Sequence, residues 1–263
     1  MDTIKKWILR IVQLVLLVVI IYSGYQIGSY YYDRYKAQQK FDETKEIVVA
    51  IKEEEIEAKE EEKLSDRERA EKIIKALQRK NEDIVAYISM EDTSIDYPVV
   101  YKDNDYYLRR GLDREYSLAG TIFLEEQNNP NFTDMNTVLY GHNMSNAIGD
   151  YAQMFAPILK LSDPDYVASK DNHFIEIITE NGFYKYRVIS AFFTHANYEY
   201  RNLNMDDKTW LNYLEDMKKD SDIDFNYKED FKTTDRIITL STCDNVTDMG
   251  RFAVVAILVE WSL

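Results

Sequence analysis

Ile237-Ile238-Thr239-Leu240-Ser241-Thr242-Cys243 is a run of apolar and β-branched residues that meets the turn-forming pair Asp244-Asn245. It reads as a buried strand ending at a loop. Gly250-Arg251-Phe252 opens another apolar run that continues to residue 261. A hairpin with the seven residues 244–250 at its tip would return Arg251 beside Cys243. Outward from this pair, strands are predicted over 85–89, 97–101, 120–124, 137–140, 174–179, 184–191, 236–242 and 251–261. Eight short strands predict a mainly β fold, a barrel or a sandwich, and Asn181-Gly182 marks a hairpin turn between two of them. Helical pattern interrupts the strands at 151–161 and again at 206–219, where Trp210, Leu211, Leu214 and Met217 recur at helical spacing and are expected to pack.

The region before residue 81 has a different character. After Lys5, Lys6 and Arg10, residues 11–25 are apolar except for Gln13, Ser23 and Gly24, and with their flanks the stretch is long enough to cross a bilayer. No small-x-small cleavage site is evident before Tyr30-Tyr31-Tyr32, so the segment reads as an uncleaved signal anchor. Lysines and arginine ahead of it favour a cytoplasmic N-terminus, and the tyrosines suit the outer interface, while Arg34, Lys36 and Lys40 weaken the asymmetry. Residues 42–83 carry Glu53-Glu54-Glu55 and Glu60-Glu61-Glu62 and no Gly or Pro, which predicts a solvated helical spacer. Ile47, Ile51 and Ile56 do not continue as a heptad, and deleting about 42–64 is expected to spare activity on soluble substrates. Ser65-Asp66-Arg67-Glu68 has the form of a capping box and predicts a helix to about Lys80, with Ile73, Ile74 and Leu77 on its docking edge. The expected organisation is a short cytoplasmic N-terminus over 1–6, a transmembrane anchor over 7–29, a charged helical stalk and helix over 30–80, and a β-rich domain over 81–263.

With 47 acidic and 32 basic residues in 263, the net charge is −15, and no basic run is present, so nucleic acid is not an expected partner. Residues 53–62 alone hold seven acids against one lysine, which assigns part of that charge to the spacer. A single cysteine excludes an internal disulfide and any cysteine-rich metal site. Cys243 is then either a small buried hydrophobe or, at a strand end outside the membrane, a reactive thiol. Such a thiol needs a cationic or hydrogen-bonding neighbour to act near neutral pH. Of His142, His173 and His195, only His142 follows a strand into a glycine-containing turn, Tyr140-Gly141-His142-Asn143, and it is the favoured partner of Cys243. Arg251 is either a surface residue or a guanidinium that holds an oxyanion.

Taken together, Thr239-Leu240-Ser241-Thr242-Cys243, the following Arg251 and Tyr140-Gly141-His142-Asn143 resemble the sortases, cysteine transpeptidases of Gram-positive cell envelopes. Residues 81–88, 95–100, 103–108 and 119–124 are similar to class B of that family, so the resemblance covers about 81–261. It implies a closed eight-stranded barrel with N-terminal helices and an inserted helix before the cysteine strand, which fits the pattern at 206–219. It further implies Cys243 as nucleophile, His142 as acid/base, Arg251 as transition-state stabiliser, and Asn104, Leu108 and Ser241 in the peptide groove. Met90-Glu91-Asp92-Thr93 stands where many family members carry a Pro-Gly turn.

The implied reaction cleaves a Pro-x-Thr-type sorting signal of secreted surface proteins and passes the acyl group to the amine of a peptidoglycan precursor. The enzyme would be held in the cell membrane by one helix, with its catalytic domain outside. No metal or cofactor is expected. Other readings are a different extracytoplasmic Cys/His peptidase or L,D-transpeptidase, or a membrane-tethered binding module with Cys243 as inert core.

Overall fold

A computed structural model of the chain describes residues 2–57, 63–145 and 153–262. Residues 60–62 of the acidic spacer and the first two positions of the helical pattern at 151–161 lie outside them. Eight strands close into one barrel: β1 (Ile84–Met90), β2 (Asp96–Tyr101), β3 (Phe123–Leu124), β4 (Asn136–Tyr140), β5 (Phe174–Thr179), β6 (Gly182–His195), β7 (Ile237–Cys243) and β8 (Gly250–Ser262). The order around the barrel is β1-β2-β3-β4-β7-β8-β6-β5, with β2–β3 and β4–β7 parallel and the other pairs antiparallel. The expected closed barrel is therefore present. Alternation along β7 and β8 sorts their side chains: Ile238, Leu240, Phe252, Val254 and Ala256 fill the interior, while Ile237, Ala253, Val255 and Ile257 join an outer cluster.

The inserted helix covers that outer cluster. Numbering the α-helices in chain order gives α1 (Asp2–Glu57), α2 (Asp66–Gln78), α3 (Pro164–Ala168) and α4 (Asp207–Lys219). In α4, Trp210, Leu214 and Met217 are buried against Ile189, Phe192 and Val255, and Asp206 caps the helix by accepting from the Thr209 amide at 3.1 Å. The pattern at 151–161 resolves into a 3-10 helix over Ala156–Ser162 instead, followed by the short α3.

Two strands differ in length from the sequence reading. Only Phe123–Leu124 of the stretch 120–124 pairs as a strand, because Gly120 turns at φ +60 with its Cα packed under the Tyr107 and Leu108 carbonyls. A Cβ there would lie 2.8 and 2.9 Å from those oxygens. β6 runs past residue 191 to His195, since β8 offers ladder partners as far as Gly250. At the Met90–Thr93 turn, Asp92 takes a left-handed φ of 58 in place of a glycine.

The largest difference concerns the spacer. α1 is one helix of 56 residues whose apolar first half is long and apolar enough to cross a membrane, with an 18-residue window of mean hydropathy 2.1 that is unburied. Its second half docks on the barrel. Arg34, Ala37, Phe41, Thr44, Val48, Ile51 and Glu55 are all buried, a stripe of alternating three- and four-residue steps that faces β2 and α2. Phe41 meets Tyr97 edge-on with ring centroids 5.2 Å apart, and Lys45 pairs with Asp96 at 2.9 Å. The stripe escaped the sequence reading because polar Arg34, Thr44 and Glu55 occupy apolar-type positions. α2 begins at the expected capping box, with Ser65 and Glu68 exchanging hydrogen bonds, and buries Ala70, Ile73, Ile74 and Leu77.

Candidate active site

Cys243 is the last residue of β7, and Arg251 lies directly across from it on β8. Residues opposite each other in an antiparallel pair project from the same face. Both continue the outward-facing positions of their strands, and both are half-buried. On the other side of β7, Tyr140 of β4 is in register with Ser241, so the parallel ladder carries the chain to His142 at the level of Cys243. Gly141 donates its amide to the Ser241 carbonyl at 3.2 Å and extends that ladder by one bond. The topology thus brings the three sequence-predicted residues to one end of three adjacent strands.

Polar contacts fix the two loops to each other. Asn143 Nδ2 donates to the Cys243 carbonyl at 3.0 Å, and Asn245 Nδ2 donates to the Asn143 carbonyl at 3.0 Å. Asp244 ties the β7–β8 turn by accepting from the Val246 and Thr247 amides at 2.9 and 3.1 Å and from Thr247 Oγ1 at 2.6 Å. Partial burial pushes its carboxyl up, but these hydrogen bonds and the charge of Arg251 prevail and hold it below its ordinary value. Gly250 is required here, since a Cβ would lie 1.9 Å from Thr247 Oγ1 and 2.2 Å from Asp244 Oδ2.

His142 Nε2 lies 2.6 Å from the Leu108 carbonyl. A carbonyl only accepts, so Nε2 carries the proton and Nδ1 of the neutral ring keeps the lone pair. Burial disfavours the imidazolium and outweighs the Leu108 carbonyl, which favours it; the charge of Arg109 adds to the burial, and the pKa falls below 6.5. Gly120 packs below the ring, where its Cβ position would be 3.2 Å from His142 Cδ2. Gly141 packs against Phe155, whose ring would be 2.7 Å from an added Cβ.

The three residues placed in the groove by resemblance have distinct surroundings. Leu108 is exposed and supplies the carbonyl that holds His142. Ser241 shares the Cys243 face of β7 but is buried under Tyr200, whose hydroxyl is 2.8 Å from its Oγ. Asn104 is engaged at both ends, giving Nδ2 to Glu125 at 2.8 Å and taking the Glu126 amide at 3.0 Å. Its partner Glu125 also accepts from Tyr140 Oη at 2.7 Å, and Arg201 approaches the same hydroxyl at 3.4 Å. Asn143, Tyr140 and Tyr200 were not singled out individually in the sequence. The signal for the first two was their closeness to His142, whereas Tyr200 carries none. His173 belongs to the core, stacked on Tyr166 with centroids 5.2 Å apart, and His195 ends β6 opposite Gly250.

Known proteins resemble this chain in sequence and fold. A sequence model of the sortase domain matches residues 88–259. Sortase B of Listeria monocytogenes is 32% identical over 97% of this chain and 98% of its own length. Sortase B of Staphylococcus aureus is 30% identical over 98% of this chain and 99% of its own. A solved Staphylococcus aureus sortase B–substrate complex superposes with a TM-score of 0.72 at 25% identity, covering 87% of this chain and 98% of that one.

Proposed function

The chain belongs to the sortase family and is a transpeptidase enzyme of the class B type, and from that premise we propose that Cys243, His142 and Arg251 carry its chemistry. The observation that supports this most is the direct β7–β8 pairing of Cys243 with Arg251, with the His142 loop tied to the Cys243 carbonyl through Asn143. The Cys243 thiolate attacks the threonine carbonyl of a Pro-x-Thr-type sorting signal, forming a carbon–sulfur bond and an oxyanion. Arg251 neutralises that oxyanion. Collapse breaks the peptide bond, and the leaving amine takes a proton from His142, which enters the cycle as imidazolium and gives up the proton on Nδ1, the nitrogen left free by Leu108. The resulting thioester is attacked by the amine of a peptidoglycan precursor. That amine yields its proton to neutral His142, the thiolate leaves, and a new amide remains. Leu108 and Asn104 line the approach of the signal peptide, while Ser241, buried under Tyr200, supports that approach from below.

In the proposed topology, residues 1–6 are cytoplasmic, the apolar half of α1 over 7–29 spans the membrane, 30–80 link it to the barrel, and 81–263 work outside. The test is to incubate the full chain in detergent with a panel of Pro-x-Thr peptides and to search by mass spectrometry for a hydroxylamine-sensitive adduct on Cys243. Wild type should form it and Cys243→Ala should not. Transpeptidation retained by Cys243→Ala would refute the assignment.

A further inference from the structure

Where α1 leaves its apolar half it presents two consecutive polar residues to the barrel, and each grips a different loop beside His142. Arg34 is buried, donating Nε to Gln153 Oε1 at 2.6 Å and a terminal nitrogen to the Met144 carbonyl at 3.1 Å. Gln153 answers by donating to the Arg34 carbonyl at 3.2 Å. These two barrel residues flank the histidine closely: Asn143 and Met154 form a bridge, and Phe155 donates its amide to the His142 carbonyl at 2.9 Å. Asp33, about 100° around the helix, accepts from the Leu118 amide at 2.8 Å. Leu118 leads directly to Gly120, which packs under the His142 ring.

Arg34's hydrogen-bond partners among the described residues are neutral amide and carbonyl groups. Burying a guanidinium against neutral partners is a costly route to stability. Its fork does what an apolar residue could not, bonding the Met144 main chain and the Gln153 side chain at once.

We propose that Asp33 and Arg34 are positioning residues for His142, so that the helix which enters the membrane also sets the imidazole for catalysis. This rests on His142 being the acid/base group. The helix contacts no reacting atom. It holds the two segments that determine where the ring sits, and a small displacement of a catalytic group is costly in rate.

The experiment measures kcat, KM and the pH profile of the full chain in detergent, using a soluble sorting peptide. Arg34→Ala and Asp33→Ala should each lower kcat about ten- to a hundredfold with KM within about twofold, and should move the acid limb of the pH profile. Asp33→Asn, which keeps an acceptor for the Leu118 amide, should recover most of the loss. Gln153→Leu removes the Arg34 contact from the barrel side and leaves α1 intact, which keeps the test valid if the helix variants fail to fold. Unchanged kcat and pH profile in these variants, with only a lower melting temperature, would overturn the proposal. His142→Ala separates the two levels. Full activity in that variant removes the acid/base assignment itself, whereas its inactivity beside normal Arg34 and Gln153 variants removes only the role of the helix.

Discussion

Asn143 reaches a residue one hundred positions away in the chain, donating its side-chain amide to the main-chain oxygen of Cys243. The bond joins the loops that carry the proposed base and nucleophile through groups that take no part in the reaction. Asn143→Ala should leave melting within about 1–2 kcal/mol of wild type, the worth of one hydrogen bond. It should lower kcat more than KM rises. Steady-state kinetics beside thermal melting checks both.

Arg251 can be tested without losing its charge. Arg251→Lys keeps a cation opposite Cys243 but loses the planar fork, and kcat/KM should fall by about a hundredfold or more. Arg251→Ala should fall further. Alkylation of Cys243 by a small neutral reagent should continue in both variants, which would separate a damaged oxyanion site from a collapsed strand.

The depressed pKa of His142 fixes the sign of a pH prediction. Burial and the Arg109 charge both disfavour the imidazolium, so proton loss from the ring in the free enzyme occurs below 6.5. The active thiolate–imidazolium pair holds a single proton, so the first proton lost from the pair sets the acid limb of kcat/KM, which should lie below that value. Arg109→Gln removes a positive neighbour, makes the imidazolium less costly, and should move the limb upward in pH. A limb that stays put or moves down contradicts this electrostatic reading.

Gly141→Ala should be destabilising by about 1–3 kcal/mol, the usual cost of overpacking, because its methyl meets the buried Phe155 ring. Phe155 in turn bonds the His142 carbonyl, so activity should fall along with stability. Denaturant melts and peptide turnover on the same preparation measure the two together.

Phe41→Ala tests the docked half of α1. Removing a buried ring from contact with Tyr97 should cost about 3–5 kcal/mol and lower the melting temperature of the barrel as a unit. Deleting residues 42–64, which as a solvated spacer would be dispensable, should instead destabilise the domain by stripping Val48 and Ile51 from it.

The strands were legible wherever both faces are buried or a turn pair closes them. Ile237–Cys243 is apolar enough to declare itself, and Asp244-Asn245 marks its end. The spacing from Cys243 to Arg251 was readable because a hairpin register is simple arithmetic, and the ladder pairs the two as expected. Contacts made by main-chain groups were not readable. Leu108 holds His142 through its carbonyl, which any residue possesses, so its side chain gave no hint. Tyr200 covers Ser241 across a long irregular segment whose path no periodicity describes. The docking of α1 was hidden for a different reason: its buried stripe includes a cation and a carboxylate that pattern reading assigns to solvent.

Gly24 and Gly28 are the last glycines of α1, and from Ser29 to Glu57 it contains neither glycine nor proline, so beyond the span the sequence offers it no joint. Phe41, seated on Tyr97, lies about 18 Å along the axis from the end of the apolar stretch at residue 29. In the proposed topology the barrel is therefore mounted on a lever, which passes on orientation as well as height. A span that tilts to match a thinner bilayer would rotate Cys243 relative to the lipid surface. Membrane thickness then becomes a dial on how squarely the proposed site faces the lipid surface, while a soluble peptide would meet the same site at any setting.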